Sequence, residues 1–82
     1  MAKVIDKNIL LTTLGSRLRT IRESLGMTQE SLANEAGLDR SYIGGVERGE
    51  RNISFLILCR IASALKIDIA SLTKGMPENR YD

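Results

Sequence analysis

Four glycines, at positions 26, 37, 49 and 75, each close a stretch in which apolar residues recur every three or four positions. A residue without a Cβ just past such a stretch is how many helices end. The only proline, Pro77, follows the last of these glycines and prevents continuation there. There is no hairpin signal, no low-complexity run and no long repeat. The chain is thus cut into short helices and has little room for a sheet.

The first helix is predicted from Asn8 or Leu11 to Leu25, with Leu14, Leu18, Ile21 and Leu25 in one stripe. Arg17, Arg19 and Arg22 lie around that stripe. The second runs from its N-cap Thr28 to Ala36, burying Leu32, Ala33 and Ala36. Glu30 sits in its first turn, where negative charge suits the helix dipole. Ser31, not glutamate, stands three residues beyond Thr28, so a full capping box is expected to be absent. The third helix follows the N-cap Asp39 and runs to about Arg48, with Ile43, Val46 and part of Glu47 inward. The fourth begins at the N-cap Ser54 and buries Leu58, Ile61, Ala62 and Leu65, and a short fifth covers Ile69 to Lys74. Five helices joined by short loops make a compact all-α domain.

At 82 residues the chain is read as a single domain with an ordered core of about 9–74. The tail from Pro77 to Asp82 is expected to be mobile and Met1 to Asn8 partly ordered. Only Tyr42, Phe55 and Tyr81 are aromatic, so the core must be aliphatic. There is no histidine and a single cysteine, Cys59, which excludes an internal disulfide and the usual zinc ligand sets. Ser-His and Cys-His nucleophile pairs are excluded by the same count. Glu30 with Glu35, or Asp39 with Glu47, could be called paired carboxylates, but the sequence gives them neither a cleft nor a metal. Neither an enzyme nor any cofactor or metal is expected. Met1 to Lys7 carries charges and no sustained apolar run, and Phe55 to Cys59 is far too short to span a bilayer. No membrane association and a cytoplasmic location are therefore expected. The net charge of +2 is compatible with nucleic acid without establishing it.

The informative stretch is TQESLANEAGLDRSYIGGVERGERN, from Thr28 to Asn52. It places two short helices either side of Ala36-Gly37-Leu38-Asp39. Ala33 is small where a second helix must cross closely, Gly37 can take the positive φ of a tight turn, and Leu38 can plug the space between the helices. These are the requirements of a helix-turn-helix.

TQESLA, a glycine at the turn and ERGERN, in this order and spacing, resemble the helix-turn-helix of the phage-repressor-like Xre regulators. DRSYIGGVERGERNIS is most similar, within that family, to the controller proteins of restriction-modification systems. The resemblance covers about Leu14 to Leu72. It implies a lambda-repressor-like fold and a regulator that binds operator DNA, with the start of the third helix entering the major groove. Base reading then falls to Arg40, whose guanidinium can bond O6 and N7 of guanine, with Ser41 as a donor and Tyr42 stacking on a sugar. Core packing is an equal alternative for Tyr42. Gln29 resembles the family glutamine that bonds a phosphate, and Arg51 and Asn52 could clamp the backbone. Arg17 and Arg19 could also reach phosphates, a solvated face being the other reading. Arg22 and Glu47 occupy positions at which relatives form a partly buried ion pair. Gly44 and Gly45 are unusual mid-helix, and the expectation is that they let the helix approach DNA closely, with packing as the alternative.

The fourth helix is more apolar than one buried face requires. The relatives dimerise through this region, so Phe55, Ile57, Cys59, Ile67, Ile69 and Leu72 are expected at a homodimer interface on a pseudo-palindromic operator. Contact with RNA polymerase is left open by the resemblance. A phage-like repressor or an antitoxin shares the domain, and a helical protein-interaction module without DNA binding is the reading from a different class.

Overall fold

A computed structural model of the chain describes residues 5–77. The expectations for the chain before residue 5 and after residue 77 lie outside the described residues. Five helices follow in order: α1 (Lys7–Ser24), α2 (Gln29–Ala36), α3 (Arg40–Glu47), α4 (Phe55–Leu65) and α5 (Ala70–Thr73). No strand is present among the described residues.

Side-chain caps set the starts of four of the helices. The Asp6 carboxylate accepts from the N–H groups of Asn8 (2.9 Å) and Ile9 (3.2 Å), so α1 starts earlier than apolar periodicity alone suggests. Thr28 Oγ1 accepts from Ser31 N at 3.0 Å, and Ser31 Oγ accepts from Thr28 N at 2.9 Å. The reciprocal capping box is therefore present, against expectation, because a serine hydroxyl reaches the N-cap amide as a glutamate would. Asp39 caps α3 and Ser54 caps α4.

Between α2 and α3 the chain turns at Gly37 with φ 69°, a left-handed conformation that costs glycine little. Leu38 N then bonds Ala33 O at 2.8 Å, and the half-buried Leu38 side chain packs against the core. The core is aliphatic and continuous, with Leu18, Leu32, Ile43, Val46, Ile61, Leu65 and Leu72 drawn from all five helices. Burial of Leu72, worth about 2 kcal/mol, holds a four-residue α5 that could not form alone. Leu72 is fully buried within this one chain, so it cannot belong to a dimer interface as expected.

Helix α1 crosses the end of α3 at Gly15. A Cβ there would lie 2.5 Å from the Glu47 carbonyl oxygen and closer still to that of Val46. The two backbones touch with no side chain between them, and this sets how closely α1 packs on the last turn of α3, which itself is closed off by Gly49 with φ 75°. Periodicity gave no hint of it.

Candidate nucleic-acid interface

The junction of α1, α2 and α3 is built on charge. Arg22 Nε donates to Glu47 Oε2 at 2.6 Å and Nη2 to Glu47 Oε1 at 3.0 Å, a two-point pair with side chains only 9% and 3% exposed. The third guanidinium nitrogen, Nη1, donates to Met27 O at 2.8 Å, tying in the chain between α1 and α2. The hydrogen bond to Glu47, ahead of the opposing effect of burial, raises the Arg22 pKa further above its ordinary range. Gln29 Nε2 donates to Glu47 Oε1 at 3.0 Å. The side chain expected on a phosphate is thus already part of the pair, although an amide nitrogen carries a second hydrogen.

The opposite end of α3 is open. Asp39 Oδ1 accepts from both the N–H and the hydroxyl of Ser41, each at 3.0 Å. These two bonds, with a smaller contribution from the Arg40 charge, hold the Asp39 carboxyl below its ordinary value of 3.8. The Ser41 hydroxyl hydrogen is committed to Asp39, so in this state Ser41 offers lone pairs and not the donor expected of it. Arg40 is exposed and makes no hydrogen bond or ion pair among the described residues. It borders a groove of about 580 Å³ whose other walls include Arg22, Met27, Gln29 and Glu30.

Tyr42 follows the packing alternative weighed for it. Its ring is half-buried against the core, while the Arg51 guanidinium lies 5.2 Å from the ring centroid. The stem of Arg51 also runs across Gly45, where an added Cβ would meet Arg51 Cγ at 3.1 Å. At Gly44 an added Cβ would meet Arg48 Nη1 at 3.1 Å and Gln29 Oε1 at 3.6 Å. Both glycines are buried beneath these side chains. In the free protein the gap they leave is filled by these side chains, which is the packing alternative.

The remaining expected residues fall apart. Asn52 is exposed in the segment after α3. Arg19 pairs with Glu23 at 3.5 Å on an exposed helix face. Arg17 has a structural role as well, because its Nη1 donates to Leu72 O (3.2 Å) and Lys74 O (2.5 Å) and so closes the end of α5. Both bonds use Nη1 alone, so Nε and Nη2 keep their donors. On the apolar side, Ile57, Ile67 and Ile69 are half-buried and pack on the core, Cys59 is half-buried, and Phe55 is 69% exposed. Leu56, 73% exposed, joins Phe55 in that patch and was missing from the expected set. Among the described residues no acidic or thiol cluster could hold a metal, and no helix is long and apolar enough to cross a membrane.

Comparison with known proteins gives a family match and several relatives. A helix-turn-helix family model matches residues 18–72. Control protein C.SmaI of Serratia marcescens is 41% identical over 59 residues, covering 72% of this chain and 70% of that protein. The matched stretch spans 62% and 42% of two other, longer curated relatives. The crystal structure of the restriction-modification controller protein C.AhdI from Aeromonas hydrophila superposes with a TM-score of 0.75 at 50% identity, covering 76% of this chain and 94% of that one. A tetramer of the controller C.Esp1396I, solved with its natural 35 base-pair operator, gives a TM-score of 0.69 at 41% identity, over 72% of this chain and 78% of that one.

Proposed function

This chain belongs to the helix-turn-helix family, and we propose from that premise that it is a sequence-specific DNA-binding transcriptional regulator, the controller of a restriction-modification operon. The observation that carries the reading is Arg40, without a partner among the described residues, at the first turn of a helix whose far end is clamped by Arg22, Glu47 and Gln29. A rigid helix with a free fork of donors at its leading end suits the guanine edge in a major groove. Arg51 flanks it and supplies positive charge for the backbone. The similarity to C.AhdI over 94% of that controller supports the narrower identity.

The regulator acts as a homodimer on a pseudo-palindromic operator. The exposed Phe55 and Leu56 support this, since adjacent large apolar side chains left in water commonly mark an interface. Such a regulator works where the DNA is, in the cytoplasm.

The test is a mobility-shift titration against the DNA upstream of its own gene at two salt concentrations. A discrete complex that tightens as salt falls, and that resists competition by unrelated duplex, is expected. Binding that competes equally with any duplex would overturn sequence specificity, and no binding at all would leave a protein-interaction module.

A further inference from the structure

Helix α4 reads FLILCRIASAL, and its only charge is Arg60. Its Nε donates to Ala36 O at 3.1 Å and its Nη2 to Gly37 O at 2.8 Å. These are the last carbonyl of α2 and the carbonyl of the turn glycine. Neither accepts a backbone hydrogen bond across the turn among the described residues. Helix α2 carries no basic residue in its own last turn, so Arg60 brings from another helix the cation that a C-terminal dipole favours.

Two further features show that the fit is specific. One edge of a guanidinium presents two parallel donors, which an ammonium cannot. The turn also leaves room for it, since a Cβ on Gly37 would stand 2.6 Å from Arg60 Nη2. Gly37 is thus required twice, for its φ of 69° and for the space the fork occupies. On its other side Arg60 adjoins Leu56 and Cys59 in a groove of about 560 Å³ between α2 and α4.

The anchored carbonyl of Gly37 is three residues ahead of Arg40. Only Leu38 and Asp39 intervene, one packed on the core and the other capping α3. We infer that Arg60 is a positioning residue for base recognition: its fork on the Ala36 and Gly37 carbonyls sets the angle at which Arg40 leaves the turn. A two-point contact to a base edge tolerates little error in that angle. Removing the fork leaves the charge and shape of the DNA-facing surface intact and loosens only its aim. The inference rests on the DNA-binding reading above.

The experiment first selects the tightest binder of the wild-type protein from a random-sequence duplex library and pairs it with a scrambled duplex of equal length. Wild type, Arg60→Met, Arg60→Lys and Gly37→Asn are titrated on both, well below the melting temperature of each. Asparagine tolerates the left-handed backbone, but its Cβ displaces the guanidinium. The expected result is an about tenfold loss of discrimination in Arg60→Met and Gly37→Asn, with scrambled-duplex affinity unchanged. Arg60→Lys should fall between, and the Arg60→Met/Gly37→Asn double variant should be no worse than either single one. Equal weakening on both duplexes with a salt slope reduced by about one would make Arg60 a phosphate contact and overturn the inference. Unchanged discrimination with a lowered melting temperature would reduce it to a helix cap, which also overturns it. Failure of the wild type to enrich any duplex would defeat the DNA-binding reading itself, a result separable from the other two.

Discussion

At the junction of α1, α2 and α3, Arg22 spends donors on Glu47 and on Met27 O, and its side chain is 9% exposed. At the start of α3, Arg40 carries the same guanidinium and makes no hydrogen bond or ion pair among the described residues. The two residues differ in what surrounds them and not in chemistry. Where a carboxylate and a carbonyl meet every face of the fork, the arginine holds helices together. Where the neighbouring carboxylate, Asp39, turns Oδ1 to Ser41 and bonds no arginine, the guanidinium of Arg40 is left for another molecule. A short helix held firmly at one end and unsatisfied at the other is suited to probing a groove.

The largest effect should come from the saturated end. Glu47→Ala leaves a buried guanidinium uncompensated and should cost about 3–5 kcal/mol, read by denaturant unfolding. A loss below about 1 kcal/mol would mean that water already compensates the pair. Arg40→Ala should instead leave unfolding unchanged and weaken binding to the selected duplex by about 1–3 kcal/mol, measured by titration. If both variants lose stability equally, the division between the two ends fails.

Gly45→Ala tests the ground between them. The methyl group adds about 1 kcal/mol of helix preference and makes the stem of Arg51 give way slightly. Stability within about 1 kcal/mol of wild type is expected, with shifted Tyr42 ring resonances as Arg51 moves over the ring. Unshifted resonances would show that the stem of Arg51 yields without losing the stack.

The smallest effect concerns Asp39. The folded state holds its carboxyl below 3.8, so the cap contributes above that value and is lost as pH falls through the lower folded-state one. An NMR titration of the Asp39 carboxyl should give a midpoint below 3.8, moving back toward it in Ser41→Ala. The backbone N–H of residue 41 remains in that variant, so the return should be partial. A midpoint unmoved by Ser41→Ala would take the hydroxyl out of the cap.

What could be read from sequence follows the range of each interaction. Thr28, Gly37, Asp39 and Ser54 act within a turn of their own position, and they marked α2, α3 and the start of α4 within a residue or so. Asp6 and Ser31 act equally locally, but apolar spacing drew attention past the first and a preference for glutamate past the second. The partners of Arg17 lie 55 and 57 residues away, and those of Arg60 lie 24 and 23 away. Periodicity says which face of a helix is apolar and nothing about which carbonyl lies opposite a given charge. A lone arginine in an otherwise uncharged helix was the one signal that could have marked Arg60. The fate of Leu72 was hidden for a similar reason, since an apolar residue reads alike whether its own core or a second copy covers it.

The crossing at Gly15 has a mechanical meaning. Through most of the core, aliphatic side chains such as Leu18, Leu32, Ile43 and Ile61 lie between the helices, and a change in one can be absorbed by rotation of another. At Gly15 there is nothing to rotate, and the backbone of α1 acts as a hard stop for the last turn of α3. Eight residues make α3 a rod about 12 Å long. Shifting the stop would tilt the whole rod and swing its far tip, Arg40, through the largest arc.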